Sequence, residues 1–561
     1  MRTFARLVAL ILAGSLVLSG CSLVSGDDEK PTSTSSAART TLKNTAWQAA
    51  RRDKVAQGGT LRLGTTAIPR NFNPQHPDAV SSDASRILAP TIGSAIRITP
   101  AGGWEVDHDY AESIKVADTD PLKIEVRLNR RAVWQGGTAI TAADMVAYWK
   151  AMNGSDNDYE VASTEGFDDI ESVKQGKTKF DYTVTFDRPN AEWPLYIYPR
   201  LAANVSASPK MFNKAFRTKA ISSNGPFVVA SIDTRKGTIV QKPNPRWWGQ
   251  KPKLSQITFQ VATPEVLAKA FAAGELDAVD LEANTYATAK KAKDGSIQRA
   301  SGVEWSQVTL NGGRGPLKDP DVRRAVAHAI NRDAIARQAS SALGAPATPL
   351  GSVMLLPGQE GYVDSSATIA HDWAKAKSLL TKAGWVEGSD GVRARKGKRL
   401  KLAMPVPSNT PTNRRRASRI AQDLSRVGIE VEVKSVPADR FFSQFVIPLD
   451  FDIVTFVRRG SPFPIGAAEP MFYPVDSAQN YTGVSEKRFG RGWAVTTGTL
   501  DDELRRKRVA KLDEWVLENP TIVPLAVTPI AVAVRKGLVN YGAAQFQQPD
   551  WTIVGFTKKQ D

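Results

Sequence analysis

The chain has 561 residues, a formal charge of +17, 42% hydrophobic residues and a single cysteine. That length calls for more than one lobe of structure, and the lone cysteine excludes a disulfide within the chain, which a core of this size does not need. The basic excess falls in runs at 393–401, at Arg414, Arg415, Arg416 and Arg419, and at 505–508, each interspersed with acidic residues; this reads as a solvated basic surface near anionic lipid or cell wall and not as a nucleic-acid interface.

At the N-terminus, Arg2 and Arg6 flank the start of an apolar run over 7–18, the pattern of a secretory leader. The run is shorter than the roughly 20 residues that a membrane-spanning helix takes. Leu18-Ser19-Gly20-Cys21 resembles the bacterial lipoprotein box, which implies cleavage after residue 20 and acylation of Cys21. Two acyl chains give stable anchoring where one is marginal. Loss of the leader removes Arg2 and Arg6 and leaves a charge of +15. Residues 22–41 hold almost nothing apolar and read as disordered, and 42–56 are expected to add a short helix, so 21–57 form a lipidated tether.

The folded part begins at Gly58-Gly59-Thr60, ahead of the alternating strand Leu61-Arg62-Leu63. Ile124 to Leu128 alternate as a half-buried strand, and Thr141 with Asp144 three residues on is a capping box. Thr263-Pro264 starts a helix that stops at Gly274. Asp319-Pro320 opens another with Val322, Val326, Ala329 and Ile330 inward. A helix over 373–383, a strand at 400–402, a helix through Ile420, Leu424 and Val427 ending at Gly428, and strands at 429–433 and 451–454 follow. Strands separated by helices indicate an α/β fold with crossover connections.

Catalytic patterns are missing. His76, His108, His328 and His371 are scattered, and none forms a metal-ligand pair; His328 reads as an ordinary packed or surface histidine on its helix. There is no Gly-x-Ser-x-Gly nucleophile elbow and no His-Glu-x-x-His, and the loop at 391–398 has the wrong glycine spacing for phosphate, with Arg399 where a metal-holding hydroxyl belongs. Asp168-Asp169 and Asp501-Asp502 read as turn and helix-start residues. No enzyme, cofactor or metal site is expected.

Six segments in order carry a resemblance: Gly58-Gly59-Thr60-Leu61-Arg62; Asn71-Phe72-Asn73-Pro74; residues 133–144, Val-Trp-Gln-Gly-Gly-Thr-Ala-Ile-Thr-Ala-Ala-Asp; Asn224-Gly225-Pro226-Phe227; residues 244–252, Asn-Pro-Arg-Trp-Trp-Gly-Gln-Lys-Pro; and 319–331 with Val322-Arg323-Arg324-Ala325. Together they resemble the family-5 extracellular solute-binding proteins of ABC importers, which include oligopeptide, dipeptide and nickel receptors. The pre-58 segment and Phe167-Asp168-Asp169-Ile170-Glu171 also resemble a high-GC Gram-positive lipoprotein subgroup that includes LpqW.

The resemblance implies a two-lobed periplasmic-binding fold of class II. Lobe I would take 58–305, with an inserted subdomain at about 80–220, and return at 528–561; lobe II would take 306–527. Hinge closure would bury a peptide or peptide-like solute in the cleft and present it to ABC permease subunits, with the protein a monomer on the outer face of the cell membrane. The cleft candidates are Thr66, Asn73, Trp248, Arg458, Arg459, Ser461 and Phe463. Family members often place an aspartate for the peptide amine where this chain has Ser461, while the twin arginines suit a carboxylate or phosphate. The alternative is a non-transport regulator or scaffold of envelope glycolipid synthesis that reuses the fold.

Overall fold

The structure, a computed structural model, describes residues 41–558. The leader, Cys21 and the tether as far as residue 40 lie outside the described residues.

A mixed sheet of eight strands is the backbone of the fold. Its members are β1 (Thr60–Thr65), β6 (Phe227–Asp233), β7 (Thr238–Pro243), β8 (Gln256–Val261), β9 (Ala278–Asp280), β10 (Gly295–Leu310), β13 (Ile453–Arg459) and β14 (Ile522–Arg535), in the order β13-β10-β14-β9-β1-β8-β7-β6. A second sheet has four antiparallel strands, β2 (Ala111–Thr119), β3 (Leu122–Leu128), β4 (Ile170–Gln175) and β5 (Asp181–Phe186), in the order β2-β3-β5-β4. Strands β11 (Lys401–Pro407) and β12 (Glu430–Val436) pair in parallel across helix α5 (Pro411–Ser425). β1 pairs in parallel with β8 and β9, as crossover connections require.

Local sequence accounts for the elements. The carboxylate of Asp144 at the third position of α1 (Ala142–Met152) accepts from the Thr141 amide at 2.8 Å, closing the capping box. Helix α2 (Pro264–Ala273) stops at Gly274, whose φ of +91° is the left-handed geometry that favours glycine. Helices α3 (Pro320–Ala329) and α4 (Trp373–Lys382) turn Val322, Val326, Ala376 and Leu380 inward. Asp501 caps α6 (Asp502–Glu518).

Two main cores result, which is the two-lobed α/β arrangement. One takes residues from Leu61 to Ala300 and regains Val532, Val534, Leu538, Ala543, Trp551 and Val554 from the end of the chain. The other runs from Val303 to Val527, with Phe546 added.

Several expectations are corrected. Residues 42–57 are neither a helix nor a loose tether; beyond one short turn at Arg52–Lys54 they are extended along the C-terminal segment. Thr45 bridges to Ala544 and Val55 to Thr557, while the Asn540 side chain accepts from Ala50 N and donates back to its carbonyl. The segment lacks a period because backbone and side-chain hydrogen bonds, not an apolar face, hold it. Helix α3 ends at Ala329, and a separate helix follows at Arg332–Ser341. Asp169 stands in the expected turn, 165–169, but it is also buried, paired with Arg188 and bonded by Asn190. The basic runs also divide. Arg393 is buried on backbone carbonyls, Arg505, Arg506 and Lys507 form ion pairs, and only Arg414, Arg415 and Arg419 line one shallow concavity, of about 410 Å³.

Candidate ligand cleft and hinge

The long strands β10 and β14 run from one core into the other. They pair at 295–300 with 530–535 and again at 304–309 with 522–528, with the register broken between Ala300 and Glu304. Gly302 lies in the break; a β-carbon there would stand 1.7 Å from the Thr528 carbonyl oxygen, so only glycine permits the approach. This is the hinge. Polar groups brace it from outside: Gln545 Nε2 donates to the carbonyls of Gly302 (2.9 Å) and Pro357 (3.2 Å), and Ser301 N donates to the Lys43 carbonyl at 2.9 Å.

β13 reaches the hinge as the edge strand, with Arg458 opposite Trp305 and Arg459 opposite Glu304. Strand alternation sends the twin arginines to opposite faces. Arg459 is exposed, 3.9 Å from Glu304. Arg458 packs over the rings of Phe456 and Tyr481, 5.4 and 5.7 Å from their centroids. Its Nε is buried with no hydrogen-bond partner among the described residues, and burial pushes the guanidinium down to about 10. The strand ends at Gly460, whose amide donates to Val303 O at 2.7 Å. The Ser461 hydroxyl accepts from the Phe463 amide at 3.1 Å and its carbonyl from Gln359 Nε2 at 2.9 Å, leaving Phe463 buried.

On the first lobe, Thr66 follows β1 and gives its amide and hydroxyl to Asp83. Burial raises Asp83, but the bonds from Thr66 and the nearby charge of Arg86 help to outweigh it and hold the carboxyl below its ordinary value. Two candidates are engaged by the first core, Asn73 wholly and Trp248, which is half-buried, in part. Asn73 is fully buried; its amide donates to Phe212 O and its oxygen accepts from Gln75 N. Trp248 donates to Asp109 O and packs edge-on against Tyr110. In both cases a family-type motif packs against the first core.

Sequence reading missed a contact between the lobes. The Glu192 carboxyl accepts from the amides of Ile465 (2.7 Å) and Gly466 (3.0 Å), and the Ala191 amide donates to Thr497 O at 2.7 Å. Glu192 precedes Trp193 of the first core, while Ile465 belongs to the second. An acid within the otherwise apolar run 191–198 was the one available signal. Among the described residues, no group of three or more His, Cys, Asp or Glu could hold a metal ion, and no helix is long and apolar enough to cross a membrane.

Residues 105–481 match the family of bacterial extracellular solute-binding proteins, family 5 Middle. Over 563 residues the chain is 33% identical to the oligopeptide-binding protein OppA of Mycobacterium tuberculosis strain H37Rv, covering 99% of this chain and 94% of OppA. It is 24% identical over 405 residues to LpqW of the same strain, a probable monoacyl phosphatidylinositol tetramannoside-binding protein, covering 66% of this chain and 63% of LpqW. Among solved structures, the periplasmic EDTA-binding protein EppA superposes with a TM-score of 0.82 at 22% identity, covering 92% of this chain and 99% of EppA.

Proposed function

The chain belongs to the family-5 extracellular solute-binding proteins of ABC importers, and from that premise we propose that it captures a peptide or peptide-like solute through a carboxylate held by Arg458. The observation that carries the reading is a half-buried guanidinium packed over two rings beside the hinge, with no carboxylate partner among the described residues and a buried, unsatisfied Nε. A buried cation left unpaired costs stability, and a ligand carboxylate would offset that cost with charge-assisted bonds. Ser461, where the family's peptide receptors carry an aspartate, offers the ligand's amine no counter-charge. Arg459, exposed and beside Glu304, belongs to the rim, and Thr66 to the opposite wall. OppA's description as an oligopeptide-binding protein supports the peptide class. The chain acts as a monomer without catalysis, anchored outside the membrane by acylated Cys21 and handing its ligand to a permease.

Calorimetry with a library of tri- to hexapeptides tests this. Acetylating the peptide N-terminus should leave affinity intact and amidating the C-terminus should weaken it. Arg458→Met should cost about 1.5–3 kcal/mol, roughly ten- to a hundredfold, while Arg459→Met stays within about twofold, as exposed charges do. Equal binding by the Arg458 variant would remove the anchor. A second reading, regulation of envelope glycolipid synthesis, draws on the likeness to LpqW; a co-purified glycolipid in native mass spectrometry, with no peptide bound, would favour it.

A further inference from the structure

The Glu192 contact is unusual because its acceptor is a buried carboxyl and its donors are backbone amides of the opposite lobe. Glu192 is 4% exposed, and with the Ala191 amide it grips the second lobe at three points. The absence of a side chain at Gly466 lets a second carboxyl approach: a β-carbon at 466 would lie 2.1 Å from Glu165 Oε1 and 3.1 Å from Glu192 Oε2.

The surroundings are mostly acidic. Glu165, Asp168 and Asp169 come from the segment before β4, and Glu469 follows the gripped turn. Against them stand Arg188, paired with Asp169, and Arg505, paired with Asp502. Tyr196, one turn beyond Glu192, also faces the group. Burial pushes Glu165, Asp168 and Glu469 all above their ordinary values.

We propose that Glu192 is a proton-linked clasp between the lobes, which closes the cleft more firmly as pH falls through neutrality. The sign follows from the two environments of the carboxyl. In the clasped state burial raises it to about 7, with Glu165 adding to the rise and the amides of Ile465 and Gly466 and the charge of Arg505 opposing it. When the lobes part, water returns and the carboxyl regains its ordinary value of 4.5. Closure therefore takes up a proton between these values. The proton's contribution to closure is complete below about 4.5 and is lost as pH rises through about 7, with a ceiling of about 300-fold in the closure equilibrium. No ligand is needed, so the test is independent of what the cleft binds.

The experiment measures distances between nitroxides at Lys174→Cys on the first lobe and Ser378→Cys on the second, in the ligand-free full chain carrying Cys21→Ala, from pH 8.5 to 5.5. The ratio of closed to open protein should rise at least tenfold on acidification. Glu192→Gln should lose most of the response and keep only a residue of it from Glu165 and Glu469, and Glu165→Gln, which removes a like charge, should respond with its midpoint moved to lower pH. A wild-type ratio that does not change with pH would overturn the clasp, as would a Glu192→Gln variant that titrates like wild type. Should Glu192→Gln fail to fold, the midpoint of Glu165→Gln decides, and a midpoint unmoved or raised sinks the proposal.

Discussion

Replacing Gly302 by alanine tests whether the hinge depends on backbone contact between its two crossing strands. The new methyl would sit 1.7 Å from Thr528 O, 2.8 Å from Thr528 C and 3.1 Å from Val527 Cγ1. The first two are backbone atoms, so no side chain can rotate away, and β10 and β14 must separate by more than an ångström. Overpacking of this kind costs about 1–3 kcal/mol. Separation also strains the bonds from Gln545 Nε2 to Gly302 O and from Gly460 N to Val303 O, each worth about 1 kcal/mol. A loss of roughly 3–4 kcal/mol is expected, read as a lower urea midpoint at unchanged slope in tryptophan fluorescence. Gly136→Ala is the control, since a β-carbon there meets nothing within 4 Å, and it should stay within about 0.5 kcal/mol of wild type. If Gly302→Ala unfolds within about 1 kcal/mol of wild type, the strands have slack at the crossing and the hinge does not depend on their contact.

The Asp513 carboxyl, buried in α6, accepts from Ser352 Oγ and Val353 N, and burial pushes it up to about 7. Because that folded value lies above the ordinary 3.8, its contribution is complete below about 3.8 and is lost as pH rises through 7; Asp513→Asn should erase about 2–3 kcal/mol of the stability change between pH 5 and 8 in parallel urea titrations. Asp144→Ala removes the acceptor for Trp134 Nε1, Ala203 N and both donors of Thr141, and should lower stability by roughly 3 kcal/mol, against about 1 kcal/mol for Thr141→Ala. Cys21→Ala should move the protein from the membrane fraction to the medium; retention after a high-salt wash would count against the lipid anchor.

Elements with a local cause were legible in the sequence. The capping box at Thr141, the stop at Gly274 and the alternation at 429–433 that opens the strand Glu430–Val436 each depend on neighbours a few residues away. The two-lobed fold was legible from ordered motifs, even though two of them, around Asn73 and Trp248, turned out to pack the core. What stayed hidden depends on distant partners. Glu192 meets Ile465 across 273 positions, and the segment at 42–57 is held by residues from the far end of the chain, in contacts that leave no period. The arginines at 458 and 459 were read as a pair, and strand alternation separates them.

The two cores differ in how the chain supplies them. The second comes almost entirely from one uninterrupted stretch, Val303 to Val527. The first opens with Leu61 but includes Leu538, Trp551 and Val554, and β9 pairs with β14. Closing a loop of several hundred residues is slow compared with local contacts, so the inner lobe should be able to assemble while the outer one still waits for its last strand and tail. Pulsed hydrogen exchange during refolding should then protect amides in β11 and β12 before those in β1, and the reverse order would refute this. A chain leaving the ribosome or a translocation pore would show the same inversion, because the lobe that begins first is the one finished last.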